Sequence, residues 1–381
     1  MSLFSFFKKN KESYSLVFNI GSGSVSGGIV KFTEDIGVNM SYYSKENIPF
    51  QKTVSILKHL DLMRDSLATL AGRIQKEGLQ KLNLSKSSNA SINRVFYMFS
   101  SPWSASQVKI IKIKEPKVFK ITEEYVTRVI NSQERQFQEE ISKTGKIIEK
   151  KIIQLKINGY VVSDIINKTA KDIEIAVFFT VVPKEILQIL DDVVSKVFAV
   201  NNVWCHSLSL SVFSVIRDMF PHKEDFIHID ISEEITDISV IRDDLMTSVA
   251  SIPFGRNHFI RELSTVLKVS EEIADSMIKM HSLKSNDELG AIKLSVAMDT
   301  AAKNWLTSIT DVLNSYKEKI YVPDSIFLVA NSDLVPFLKN KLEKNDFKVL
   351  LVDNKKIKPP IVGDDIVFKL ELMFLDKLYK I

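Results

Sequence analysis

Two stretches of the chain share one hydrophobic plan. Residues 15–32, SLVFNIGSGSVSGGIVKF, read as a strand, a tight Gly/Ser turn and a second strand. Residues 225–243, DFIHIDISEEITDISVIRD, repeat the plan, with another strand over 246–253 behind it. Each first strand ends in an apolar-polar-apolar step, Phe18-Asn19-Ile20 and Ile229-Asp230-Ile231, followed by a turn. The first turn is Gly21-Ser22-Gly23-Ser24; the second, Ser232-Glu233-Glu234, has no glycine and holds two carboxylates.

Between and after these hairpins the periodicity changes. Val54, Leu57, Leu60, Leu67, Leu70 and Ile74 form a helical stripe over 53–76. The Ser- and Asn-rich stretch 80–93 reads as a loop and marks a boundary. Strands are predicted over 94–100 and 107–114. A helix follows, capped by Thr122 and opened by Glu123 and Glu124, which favour the positive end of its dipole. Two more strands, 147–157 and 172–182, complete a small α+β block inserted in a larger domain. Pro183 opens a helix ending near Phe198, and 208–219 forms another. After the second hairpin come helices from Arg256 and Ser270, a long helical region over 289–319, a strand at 325–329, a helix at 334–342 and an amphipathic helix over 364–380.

The expected division is a tail over 1–13, a first subdomain over 14–93 and 183–225, and the inserted domain over 94–182. A second subdomain spans 226–353, and a final helix within 354–381 returns to the first. The fold class is α/β, a duplicated ribonuclease-H-like body carrying a small α+β insertion.

Composition narrows the chemistry. At 381 residues, 45% hydrophobic and 26% charged, the chain is an ordinary globular one with room for two or three domains. A net charge of +4 over that length argues against a nucleic-acid partner, and the basic stretches 143–156 and 355–358 read as solvated faces. The single cysteine, Cys205, excludes an internal disulfide and a cysteine-based metal cluster. The six histidines show no ligand spacing, so no metal site is expected. No apolar run reaches the length of a bilayer span and no signal-peptide pattern is present, which predicts a cytoplasmic protein or one on the inner face of a membrane.

This order of elements resembles that of the actin-like bacterial proteins FtsA and PilM, over nearly the whole chain. FtsA-like chains carry an Asp-Ile-Gly-Gly-Gly-Thr-Thr-Asp turn, then Ile-Pro-x-Gly-Gly-x-His and a Ser-x-Glu-Glu-Ala helix start. Here Asp230-Ile231, Thr236-Asp237, Ile252-Pro253, Gly255, Asn257-His258 and Ser270-Glu271-Glu272 stand in matching places. Residues 121–130 are similar to the helix entry of the family's inserted domain, and 322–338 to the segment that closes over adenosine.

The resemblance implies a Mg-ATP site between the two hairpins. Its residues, where retained, are Gly21, Ser22, Gly23, Ser24, Asp230, Thr236, Asp237, Gly255, Ala330 and Asn331. Glycine serves there because its amide reaches a phosphate with no side chain in the way, and a carboxylate helps to hold Mg²⁺. Several positions depart from the pattern. Asn19 replaces the usual aspartate, Ser26 stands where lysine is common, and His206 replaces a glutamate at a helix start. The glycines of the second turn have become Ser232, Glu233 and Glu234, and Ser332 stands in the late loop beside Ala330 and Asn331. A carboxylate about 4 Å from a phosphate charge costs roughly 4 kcal/mol at an effective dielectric near 20, or two to three orders of magnitude in affinity. The expectation is a pseudo-ATPase with no catalytic residue and no cofactor. The alternative is that Glu233 or Glu234 turns outward or binds a metal, leaving an active Mg-ATP-dependent polymerising switch.

The tail places Leu3, Phe4, Phe6 and Phe7 beside Lys8 and Lys9, the composition of a weak reversible lipid anchor. Residues 367–381 follow the body too directly to be the linker and membrane helix usual in FtsA. The leading expectation is an FtsA-like, non-catalytic adaptor, peripheral on the inner membrane face, that self-associates and binds division proteins. The near alternative is a PilM-like role in type IV pilus assembly, bound to the cytoplasmic tail of a membrane protein. A sugar kinase is the least favoured reading, because no turn combines a base with a substrate pocket.

Overall fold

The central strands form because their apolar runs can be covered on both faces. In β1 (Tyr14–Ile20), Leu16, Val17, Phe18 and Ile20 have no exposed surface. β1 pairs antiparallel with β2 (Ser24–Thr33), which pairs with β3 (Gly37–Asn47); β4 (Ile92–Phe99) lies parallel on the other side of β1. The computed structural model describes residues 14–33, 37–82, 92–141, 143–281, 288–318, 320–352 and 365–380. The tail with Leu3, Phe4, Phe6, Phe7, Lys8 and Lys9, and the basic stretch 355–358, lie outside them.

After β4 the chain leaves to build the inserted domain from β5 (Ala105–Lys120), β6 (Gly145–Ile157), β7 (Tyr160–Val162) and β8 (Thr169–Pro183), ordered β5-β8-β6-β7 and antiparallel throughout. The helix Glu123–Ile141 covers one face, burying Val126, Ile130 and Phe137 against Ile173, Ile175 and Phe179. The chain then returns through β9 (Val203–Ser207), which completes the first sheet as β3-β2-β1-β4-β9.

The second sheet repeats that plan. β10 (Phe226–Ile231) pairs with β11 (Thr236–Arg242) and β11 with β12 (Leu245–Ile252). β13 (Ser325–Ala330) lies parallel to β10, and β14 (Lys348–Leu351) is outermost. The order is β12-β11-β10-β13-β14, strand for strand that of the first sheet. Asn19 faces Ser26 in the first hairpin, and Asp230 faces Asp237 in the second, so the two polar steps are equivalent.

Each sheet has its own helical layer. The helix Ile56–Arg73 packs Met63, Leu67 and Leu70 on one side of the first sheet. The helices Arg256–Leu267, Glu288–Lys317 and Val335–Glu343 cover one side of the second. Between the sheets lies a shared core in which Phe213 of the helix Leu208–Met219 and Phe368 and Phe374 of the final helix, Ile366–Lys380, meet Phe96, Phe226 and Phe327. The final helix is therefore interior structure.

Four strands escape the hydrophobic pattern: β3, β7, β9 and β14, three of them short and β3 only weakly alternating. β5 runs to Lys120, past the predicted end at 114. The helix predicted to end near Phe198 is three segments, Lys184–Leu190, Asp191–Ser195 and Lys196–Phe198, the middle one wound wider than an α-helix.

Candidate functional site

The two hairpin turns meet. Ser22 Oγ lies 2.7 Å from Ser232 Oγ and accepts a hydrogen bond from the Glu234 amide at 3.0 Å. A Cβ added at Gly23 would stand 2.1 and 2.4 Å from Cβ and Cγ of Glu233, so that side chain lies directly against the first turn. The two turns are thus in direct contact at Ser22–Ser232 and Gly23–Glu233.

The two glutamates have different fates. Glu233 borders the inter-lobe cleft. Glu234 is buried: both of its oxygens lie 2.7 Å from Arg261 Nη2, and Oε1 also accepts from Asn257 Nδ2 at 2.7 Å. Its carboxylate thus turns neither outward nor toward the cleft. The second turn is pinned from behind, because the amides of Arg256 and Asn257 donate to the carbonyls of Ser232 and Glu233 at 2.9 and 2.7 Å. Gly255 is required there, since a Cβ would come within 2.5 Å of both carbonyl oxygens.

The remaining candidate positions are placed as follows. The Gly21 amide donates to Ser24 O at 3.0 Å and its carbonyl accepts from Trp103 Nε1 at 2.7 Å, fixing the first turn. Asn19 donates through Nδ2 to Glu371 of the final helix. Ser26 is buried opposite it. Thr236 faces the core, donating to Phe254 O at 2.6 Å and accepting from Trp305 Nε1 at 3.1 Å. Asp237 accepts from Ser251 Oγ, and burial raises its pKa. Ala330, Asn331 and Ser332 line the cleft. His206 does not; it is the penultimate residue of β9, with Nδ1 2.9 Å from Glu149 Oε1 of the inserted domain.

The cleft has a volume of about 870 Å³. Its floor is acidic. Burial raises the Asp230 carboxyl well above the usual range, reinforced by the charges of Asp237 and Glu233. Burial acts likewise on Glu371, with Asp365 and Asp230 adding to it. The lining cations are engaged: Lys45 with Asp365 at 3.4 Å, Lys279 with Asp275 at 2.6 Å, and Arg256 with Asp275 at 2.6 Å and with Asp333. Arg256 fills the place of the family's second glycine in Ile-Pro-x-Gly-Gly-x-His and ties the helix Arg256–Leu267 to the late loop at Asp333. Sequence reading passed over Arg256, Arg261 and Glu371. The one visible signal was an arginine standing between Gly255 and Asn257-His258. No group of three or more His, Cys, Asp or Glu side chains among the described residues is arranged to hold a metal ion.

A second cavity, about 760 Å³, separates the inserted domain from the β9 edge of the first lobe. Its walls are apolar, with Ile148, Ile152, Leu190 and Phe374, and Trp204 stands on it 37% exposed. Glu149 crosses between the two bodies, accepting from the Ser207 amide at 3.1 Å, Ser207 Oγ at 2.9 Å and Thr180 Oγ1 at 3.3 Å.

A duplicated pair of sheets with a cleft between their hairpin turns is the actin-like ATPase fold, and the solved structures agree. The chain is similar to PilM in the PilM–PilN type IV pilus biogenesis complex, with 10% identity and a TM-score of 0.62 over 96% of this chain and 98% of that one. MreB 5 of Spiroplasma citri bound to AMPPNP matches with 9% identity and a TM-score of 0.48, over 98% of each chain. A MamK double helical filament matches with 10% identity and a TM-score of 0.45, over 96% and 99%. No protein-family model matches the sequence, and no curated protein is similar to it in sequence.

Proposed function

We propose that this protein is a non-catalytic adaptor that keeps the actin-like body as a scaffold and works at the inner face of a bacterial membrane. The direct contact of the two turns carries the reading. Ser22 on Ser232, and Glu233 on Gly23, occupy the region where an active relative would hold phosphates. Arg256, bonded to Asp275 and Asp333, supports it at the opposite end of the cleft.

Of the two assembly roles, the pilus one is favoured. What supports it is the TM-score of 0.62 to PilM, a protein solved in complex with PilN, together with a final helix that is core structure here and so unavailable as a membrane-binding element. The groove between the inserted domain and β9 is the surface offered to a partner, such as the cytoplasmic tail of a membrane protein. Its apolar walls and the half-exposed Trp204 suit such a contact. Among the described residues no helix is long and apolar enough to cross a membrane. In this reading attachment runs through that partner, with the 1–13 tail as a second, weaker contact. Self-association remains part of the proposal.

Calorimetry of the purified protein with Mg-ATP tests the reading. No heat of binding at millimolar nucleotide is the expected result. Submillimolar binding would restore the nucleotide switch.

A further inference from the structure

We infer that Glu234 and Arg261 form a built-in latch that holds the two lobes together in the absence of nucleotide. The inference rests on the non-nucleotide reading above and adds what replaces the ligand. Arg261 belongs to the second lobe, yet its Nε donates to the carbonyl of Gln51 in the first at 3.0 Å. Its guanidinium also lies 5.1 Å from the ring centre of Phe50. Phe50 comes from the first lobe and packs against the core of the second. Glu234 fixes that reach: its two oxygens on Nη2 orient the guanidinium so that Nε faces Gln51.

The contact continues into the first turn. Gln51 Nε2 lies 3.0 Å from His59 Nδ1, His59 stacks on Trp103 at 5.1 Å, and Trp103 Nε1 holds Gly21 O at 2.7 Å. Lys52 and Glu271, 3.1 Å apart, add a partly exposed pair across the same seam. Here the substitution that places a carboxylate in the second turn also supplies the bridge.

Thiol labelling tests the latch on the full chain. Ser22 has no exposed surface and sits between the turns, so Ser22→Cys places a thiol that a maleimide reaches only when the cleft opens. Cys205, on β9 and away from the cleft, is the internal reference, and both sites are read by peptide mass spectrometry. In the Ser22→Cys protein, labelling at position 22 is expected to be slow. Adding Arg261→Gln should speed it about tenfold, the loss expected for one charge-assisted contact, with Cys205 unchanged. Phe50→Ala removes the platform without stranding a buried charge and should act in the same direction. Unchanged labelling at position 22 in both variants, or a rise matched by an equal rise at Cys205, overturns the latch. Slower labelling at position 22 on adding Mg-ATP would instead overturn the non-nucleotide reading, leaving the effect of Arg261→Gln to be judged on its own.

Discussion

Closure of the cleft has an energetic signature at Gly23. Gly23→Ala adds a methyl group 2.1, 2.4 and 2.9 Å from Cβ, Cγ and Cδ of Glu233. Neither turn gives way freely, because Ser22 is held to Ser232 and to the Glu234 amide, and the Gly23 carbonyl accepts from the Ile48 amide at 2.8 Å. Overpacking of this kind costs about 1–3 kcal/mol. For a folding unit of 150–250 residues, that is a fall in Tm of about 2–4 °C per kcal/mol. All three clashing atoms belong to Glu233, so Glu233→Gly should make room for the methyl group.

The two changes therefore form a double-mutant cycle read by thermal unfolding. Gly23→Ala alone is expected to destabilise, Glu233→Gly alone to do little, and the pair to recover most of the loss. The coupling should be about 1–3 kcal/mol. Effects of glycine on the unfolded chain cancel within the cycle. If the lobes stand apart in solution, Gly23 and Glu233 do not touch and the two effects add within about 0.5 kcal/mol. Additivity would refute the closed arrangement on which the functional reading depends.

Three further outcomes follow from the same seam and its acidic floor. Gly255→Ala meets backbone only, at 2.5 Å from the carbonyl oxygens of Ser232 and Glu233, so it should destabilise more than Gly23→Ala and gain nothing from Glu233→Gly in the same melts. His228 is buried and its pKa is pushed down from 6.5 to about 4. Below pH 6.5 the unfolded chain takes up a proton that the folded chain refuses. Stability should thus fall by about 3 kcal/mol as pH drops through that interval, and His228→Leu should remove this loss in a Tm–pH series. Glu371 acts with the opposite sign. Its raised pKa means that the folded chain holds a proton the unfolded chain releases, so its contribution is full below the ordinary carboxylate range and is lost as pH rises through the folded value. Glu371→Gln keeps an oxygen for Asn19 and should flatten the decline with rising pH; an unchanged slope would place the titration elsewhere.

The body of the fold was legible because its strands carry a pattern that few other structures accept. Leu16 to Ile20 and Phe226 to Ile231 are largely apolar and buried on both faces, and each is followed by a turn and a partner strand. The edge strands were not legible. β9 is only Val203–Ser207 and half exposed, and β14 is four residues long, so neither has the length to show a period. At the site, the sequence exposed the loss of glycine at 232–234 but not the direction of the two glutamates. That direction depends on Arg261, 27 residues beyond Glu234 with β11 and β12 between them, whose position is set by packing of the helix Arg256–Leu267. The surroundings of His206 were hidden for the same reason. The sequence shows it before a helix, while the unrecognised β9 places it against Glu149 in the inserted domain.

Glu234 and Arg256 also show how charged side chains in and behind the second turn tie the fold together. A buried carboxylate without a partner is strongly unfavourable, so a glutamate in the second turn persists only with a cation in reach. Arg261 meets that need and, having reached Glu234, finds Gln51 and Phe50 of the other lobe beside it. Arg256 makes a comparable link inside the second lobe, joining Asp275 and Asp333 where a glycine would leave the late loop untied. Both charged side chains are thus satisfied by contacts that tie separate segments of the body together. On the proposed adaptor reading, these links would let the body present the groove between β6 and β9 in one fixed shape, as a permanent docking partner requires.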